Sequence, residues 1–524
     1  MVLMLVCSVY AQHRYHPEHG VAETPAGGLE PHRQHRVGSR ETAPLPCVGS
    51  PHIPVVLVQF SDLKFVSDTL NMKGTEHSDE NVRSFYDKYC NGSGIPGENF
   101  TYANGSFGAV ADYFIEQSDS LFAPYFEVIG PVTLSQSYAY YGKDVSNSKR
   151  DVNISEFYSE ALRLAMQQHL RWQDFDNDDD GKFDFVFFIF AGQGQNEYGE
   201  YTHCLSTGEP EMANLIWPHE SSSDFAIDEY EFGGYGLANE LYEKATDGVG
   251  TMCHELSHGL GLPDLYSSGF VTFGMDYWDV MDTGSYCDFG LCPCAYSTYE
   301  RDFMGWRRLV ELPSLTEPQT ITLHPIEKGG VGYKLVNPAN KDEYYILENR
   351  QTIGFDSCLG WASASRAEEL GYNHGMLVMH VDYLAEAWNK RKINAQPSHQ
   401  RMTVLPADGE LVSWYYGFTD SYYKSMAGDL YPGSQNVTEI PSKRFTLFTG
   451  GTLPIHITNI CENEDLTITL EINGGAPTKV EDVIEGDGVG ERASTLYDMS
   501  GRRVTAPSRG LYIKNGRVIL WQSN

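Results

Sequence analysis

Two histidines and a glutamate within Gly250-Thr-Met-Cys-His-Glu-Leu-Ser-His-Gly-Leu-Gly-Leu-Pro-Asp-Leu-Tyr266 have the residue types and spacing of a metal centre. His254 and His258 lie four residues apart, so a helix stacks their imidazoles on one face, about one turn apart. Both rings can then bind one zinc ion, with Glu255 beside them facing a metal-held water. Val249, Cys253, Leu256 and Leu260 fall on the opposite face and are expected in the core. Gly259 and Gly261 should end the helix, and Pro263 should prevent its resumption. The turn that follows could bring Asp264 back to the metal as a third, oxygen ligand. The rival third ligand is Glu300, in Tyr299-Glu-Arg-Asp302, as in zinc sites whose last ligand comes from a later helix. The helix break at Gly261 and the nearness of Asp264 favour the aspartate. Three protein ligands leave one position for water, the mark of a catalytic zinc. The chemistry expected is peptide hydrolysis, with Glu255 taking the proton of the attacking water and passing it to the leaving amine. Tyr286 as an oxyanion donor finds no support in its spacing.

A second cluster lies in Asp174-Phe-Asp-Asn-Asp-Asp-Asp-Gly-Lys-Phe-Asp184. Asp176, Asp178, Asp180 and Gly181 repeat the opening of a calcium loop, where alternate carboxylates converge and glycine permits a sharp turn. The glutamate that closes an EF-hand at position twelve is replaced by Phe187, so Asp184 or Asp174 would have to complete the shell. Crowded aspartates repel one another unless a cation neutralises them, and a structural calcium ion is expected.

These sites need elements to hold them. Pro54-Val-Val-Leu-Val-Gln-Phe60 and Phe185-Val-Phe-Phe-Ile-Phe-Ala191 read as buried strands, and Tyr125 to Leu134 as another. Leu215-Ile-Trp-Pro-His219 is a short strand candidate. Ser106 could cap a helix through Gln117, Asn153 to Leu170 is amphipathic, and Ala295 to Trp306 is helix-like. Strands alternating with long helices imply a mixed sheet with helices packed on it. From about residue 315 the pattern turns to short strands with frequent turn signals, an all-β sandwich or barrel. The class is therefore α+β. The expected divisions are a signal peptide at 1–11, a leader or pro-segment at 12–50 and a catalytic domain at 51–312. A β-rich domain at 313–473 and a linker with a tail at 474–524 complete the chain.

Acidic residues outnumber basic ones by 71 to 37, a net charge of −34 that repels nucleic acid and anionic membranes. The run Val2 to Ala11 reads as the apolar region of a secretory signal, so the protein is expected outside the cell or on its surface. No later segment approaches the roughly 18 apolar residues of a membrane helix, so an integral membrane protein is not expected. Cys287, Cys292 and Cys294 form a cluster to be read as loop disulfides or buried thiols, and the sequence does not pair them. Cys47, in Leu45-Pro-Cys-Val-Gly49, could plug the zinc of a latent precursor; the plainer reading is an ordinary leader cysteine.

With these blocks in order, residues 50 to 475 resemble the immune inhibitor A family of secreted bacterial metallopeptidases. Val55 to Asp62, Gly105 to Ser118, the acidic loop with its strand, and Ile216-Trp-Pro-His219 are similar to the family in sequence and order. His254, Glu255, His258, Gly261 and Asp264 match its zinc motif, and Glu343 to Arg350, Gly375 to Asp382 and Asp429 to Gly433 are similar in the β-rich part. The resemblance implies a metzincin-like catalytic domain acting on protein or peptide substrates, with Met281 in a Met-turn beneath the metal. Two departures stand out. The leader is short, and the tail Leu496 to Arg503 with Gly510 to Gly516 looks instead like a Bacteroidetes sorting segment, implying cell-surface attachment. The alternative function is a surface adhesin working through the β-rich region. It is disfavoured because a descendant without activity would be free to lose Glu255.

Overall fold

Val55 and Leu57 pack to one side and Val56 and Val58 to the other, the two-residue period of a strand, and all four are fully buried. The computed structural model containing this strand describes residues 43–474, apart from 73, 93–103, 169–171, 268–271, 360–373, 391 and 414–418. It also describes four short strands between 496 and 521. The secretory run, the leader through 42 and the linker from 475 onward lie outside the described residues.

The strand is β1 (His52–Gln59). It sits between β2 (Tyr125–Thr133) and β3 (Val186–Gln193), and β3 pairs with β4 (Tyr235–Tyr242); all these pairings are parallel. A two-residue strand, Glu220–Ser221, adds antiparallel to the free side of β4. Parallel strands are buried on both faces, which explains why β1 and β3 read as unbroken apolar runs. On one face, α3 (Ile154–Gln168) contributes Phe157, Ala161, Leu162 and Ala165. On the other lie α1 (Asp79–Asn91), α2 (Val110–Gln117) and the histidine helix α4 (Gly250–Gly259).

The mixed α+β class is borne out, with a β-rich region after the first sheet. After α5 (Thr298–Met304) come two sheets. One has the order β10 (Met402–Val404), β9 (Gly375–Asp382), β8 (Asn340–Arg350), β7 (Tyr333–Asn337) and β5 (Val310–Glu311). The other runs β6 (Gln319–Leu323), β12 (Ile468–Ile472) and β11 (Ile457–Glu462). Ile321, Leu335, Leu347, Val378 and Leu470 fill the space between them, so this is a sandwich. In the tail, Gly510–Lys514 pairs antiparallel with Arg517–Trp521, the hairpin expected there; its turn residues Asn515 and Gly516 lie outside the described residues.

Local expectations shift in three places. Ser106 is buried and caps nothing: α2 begins at Val110, where the Asp112 carboxylate accepts from the Ala109 N–H at 2.9 Å. Residues 215–219 form no strand: His219 O accepts from Leu237 N of β4 at 2.9 Å, but the ladder starts at Glu220. The packed body also begins earlier than the first strand. Leu45 is buried and its N–H donates to Gly259 O at 3.1 Å, while Trp306 Nε1 donates to Cys47 O at 2.6 Å.

The sandwich is joined to the loop segments that follow α4 through Arg350, at the end of β8 and fully buried. Its Nε and Nη2 donate to both oxygens of Asp356 at 2.7 Å, and Nη1 donates to Trp278 O at 3.0 Å. Nη2 also donates to Ala295 O at 3.1 Å, so one guanidinium satisfies groups from three segments. Truncating it removes the guanidinium from two buried carboxylates, Asp356 and Glu348, and from two carbonyls. Arg350→Ala should lower stability by about 3–5 kcal/mol in urea unfolding; a change under about 1 kcal/mol would mean the pair contributes little.

Candidate metal centre

Helix α4 buries Val249, Cys253, Leu256 and Leu260 completely, as the spacing required, and its other face carries His254, which keeps some solvent access. The helix stops at Gly259, and Gly261 takes φ +96°, a left-handed turn that a side chain would resist. That turn returns the chain, and Asp264 Oδ1 lies 3.3 Å from His254 Nε2 and 3.1 Å from His258 Nε2. The two imidazoles stand at 84° with centroids 4.8 Å apart, so their edges converge on one point.

Backbone carbonyls fix the ring chemistry. His254 Nδ1 is 2.8 Å from Val280 O, and His258 Nδ1 is 2.8 Å from Leu262 O. A carbonyl can only accept, so both Nδ1 atoms carry the proton and both Nε2 atoms present lone pairs. Those lone pairs face Asp264 Oδ1, a buried oxygen that receives no hydrogen bond. Three acceptors, with ligating atoms within 4.8 Å of one another, need a cation or a shared proton between them. Burial alone would raise the Asp264 pKa, but His258 and His254 outweigh it and hold the carboxyl well below its ordinary range. The donor set, two neutral imidazoles and a carboxylate braced by carbonyls, suits zinc.

The bracing segment is the stretch that the sequence marked by its methionine. Met281 is fully buried, yet the backbone around it does the positioning. Val280 O holds His254, and Met281 O accepts from the N–H of Leu265, next to Asp264, at 2.9 Å. Asp279 Oδ1 in turn accepts from Met281 N at 2.8 Å. The β-rich region reinforces this loop. Tyr422 Oη donates to Asp276 at 2.6 Å, Trp278 Nε1 to Asp429 at 2.7 Å, and Asn394 Nδ2 to Leu265 O at 2.6 Å. Sequence reading missed these partners because carbonyl acceptors and long-range polar pairs have no spacing signature. Tyr266 was also missed; it hydrogen-bonds Asp264, and burial followed by that carboxylate's charge raises its phenol pKa.

Glu255 is buried on the helix beside the histidines; burial lowers the His254 pKa, but the Asp264 carboxylate and then the Glu255 charge outweigh this and raise it. Tyr286, raised chiefly by burial, feels the same charge, and its hydroxyl accepts from Asn196 Nδ2 at 3.2 Å. Glu300 is not brought to the histidines. Its carboxylate accepts from Ser297 N at 2.8 Å and shares a proton with Asp279, its pKa raised by burial first and by Asp279 second. Cys47 does not reach the cluster either, and it is no part of the metal-ligating group among the described residues.

With this geometry in view, the comparisons with known proteins fall into place. Residues 47–199 and 221–308 match the profile described as immune inhibitor A peptidase M6, catalytic domain. This stretch is similar to the catalytic domain of M6 peptidases. The chain is similar to the "Pre-pro-metalloprotease PrtV" of Vibrio cholerae serotype O1, at 25% identity over 285 residues, 48% of this chain and 29% of that protein. It is also similar to "Immune inhibitor A" of Bacillus thuringiensis subsp. alesti, at 26% identity over 294 residues, 49% of this chain and 41% of that protein. The chain thus spans less than half the length of the curated relatives it matches. The matched profile is that of a peptidase domain, and PrtV is named a metalloprotease, so the likeness is to a metal-dependent peptidase. No helix among the described residues is long and apolar enough to cross a membrane.

The acidic loop precedes β3 in the same domain. Asp176, Asp178 and Asp184 bring carboxylate oxygens within 4.8 Å of one another. Asp180 does not join them, because its N–H donates to Asp176 and Asp178 while its own carboxylate accepts from Lys182 N at 2.8 Å. Burial first, and the neighbouring aspartates less strongly, push the Asp184 pKa from 3.8 up to about 7. A carboxyl raised in the folded state binds its proton more tightly folded than unfolded, so its contribution is fully present below pH 3.8. That contribution is lost as pH rises from 3.8 to about 7. In chelator, stability should therefore fall across this window by on the order of 1–4 kcal/mol. Asp184→Asn should flatten that slope in unfolding curves taken at each pH, and an unchanged slope would remove Asp184 as its source.

Proposed function

We propose that this protein is a secreted, zinc-dependent endopeptidase that hydrolyses peptide bonds in proteins, with His254, His258 and Asp264 as the metal ligands and Glu255 as general base. The observation that carries the reading is the convergence of two Nε2 lone pairs and an unsatisfied carboxylate oxygen beside Glu255, inside the stretch similar to the M6 catalytic domain. Zinc held there would supply Lewis acidity toward water and the scissile carbonyl. The chain's own part is proton handling and orientation. A Glu255 carboxylate oxygen takes the proton of the attacking water and returns it to the departing amine nitrogen. Val280 O and Leu262 O keep both imidazoles in the tautomer that presents Nε2, and Tyr266 fixes the Asp264 carboxylate. Met281 forms the apolar floor.

The same reading takes the acidic loop as a structural calcium site, with Asp176, Asp178 and Asp184 as carboxylate ligands and Asp180 shaping the turn. It takes the tail as a sorting segment for delivery to the cell surface.

Glu255→Gln preserves the ligands and removes the base. Zinc content by atomic absorption should stay at the wild-type level while casein hydrolysis falls by roughly 10²–10⁴-fold; wild-type turnover in this variant sinks the assignment. Calcium should abolish the pH slope attributed to Asp184 and raise the unfolding midpoint, and a rise that survives Asp176→Ala with Asp178→Ala would move calcium elsewhere. Truncation after Gly474 should leave hydrolysis intact and keep the protein from the surface. Normal surface delivery of the truncated chain rules the sorting role out.

A further inference from the structure

Four buried or half-buried cysteines stand in two pairs around the strap that supports the start of α4. The N–H groups of Cys287 and Cys294 both donate to Gly284 O, at 3.3 and 3.0 Å, so the two residues flank a single carbonyl oxygen. That keeps their backbones within the separation a cystine bridges. The Cys294 sulfur lies over Gly284, where a Cβ would come within 2.4 Å of it, and both cysteines are fully buried. The second pair joins this strap to the sandwich. Cys292 Sγ lies 3.4 Å from Phe355 O and 3.5 Å from Ser357 Oγ, beside Cys358 on the short helix Gly354–Cys358 that follows β8.

We infer that Cys287 with Cys294, and Cys292 with Cys358, close as two cystines when the chain folds in the presence of a disulfide oxidant. In each closure two thiols give up two protons and two electrons and one S–S bond forms. The S–S bond of a small disulfide such as oxidised glutathione is cleaved to two thiols in exchange. A shared metal does not account for the cysteines, since none of the four belongs to a group of three or more metal-ligating side chains among the described residues. In the reduced chain the thiols of each pair are hydrogen-bonded to one another, and burial is the first cause raising those of Cys292 and Cys294. Thiolate is then scarce in the folded state, so closure belongs to folding and the finished bonds are shielded from exchange.

The consequence reaches the metal helix. Gly290 O accepts from Gly250 N at 3.0 Å, at the first residue of α4, and Leu291 O accepts from Phe107 N at 2.8 Å. A Cys287–Cys294 bond would close the loop that carries both carbonyls, and Cys292–Cys358 would tie it covalently to the β-rich region. The inference does not depend on the reaction the enzyme performs.

The test is to refold the full chain from the reduced, unfolded state in a glutathione redox buffer, alkylate residual thiols and digest without reductant. Chymotrypsin cuts after Phe289 and Leu291, separating Cys287 from the Cys292-Pro293-Cys294 peptide. Mass spectrometry should find that peptide joined to both the Cys287 and the Cys358 peptides. In Cys292→Ser only the Cys287 link should remain, and in Cys294→Ser only the Cys358 link. Reductant should lower the wild-type unfolding midpoint by about 5–10 °C, and by less in Cys358→Ser. Alkylation of all four cysteines after oxidative refolding, the exchanged pairing, or a midpoint insensitive to reductant would each overturn the inference.

Discussion

The structure depends on one arrangement that is unfavourable unless a positive charge enters it: two imidazole lone pairs and a carboxylate oxygen facing each other in a buried cleft. Acceptors buried without donors cost several kcal/mol. The chain holds them together because the other side of each ring is committed. Both Nδ1 atoms are tied to carbonyls, and neither ring can rotate to relieve the conflict without stranding that proton. The constraint is thus set by tautomer and orientation, which suit a bound cation.

The committed carbonyls belong to segments with their own supports. The loop from 274 to 282 is tied down by side chains of the β-rich region, including Tyr422, Asp429 and Gln400. Arg350 reaches into the same neighbourhood from the end of β8. The sandwich therefore acts as the far wall of the metal centre, continuous in packing with the first sheet through one shared core.

Much of this was legible in the sequence because its signals are local and periodic. The four-residue histidine spacing, the apolar face of α4 and the unbroken runs of β1 and β3 follow from helix and strand geometry alone. Asp264 was legible because Gly261 and Pro263 leave the chain little choice of direction. What escaped has no such signature. Glu300 and Asp264 are both carboxylates at plausible distances along the chain, and only the fold turns Glu300 toward Asp279. Asp180 fits the calcium pattern by spacing, but its carboxylate is spent on its own turn. The strand expected at 215–219 is apolar, yet finds no ladder until Glu220.

The contact between Leu45 N and Gly259 O ties a segment ahead of the first strand to the last residue of the histidine helix. It works like a hem: the polypeptide must remain whole from there onward for the end of that helix to keep its partner. Removing Leu45 would take away both the partner of Gly259 O and an apolar side chain, 4% accessible, from the shared core. The packed body of the chain thus extends ahead of β1 to at least this residue.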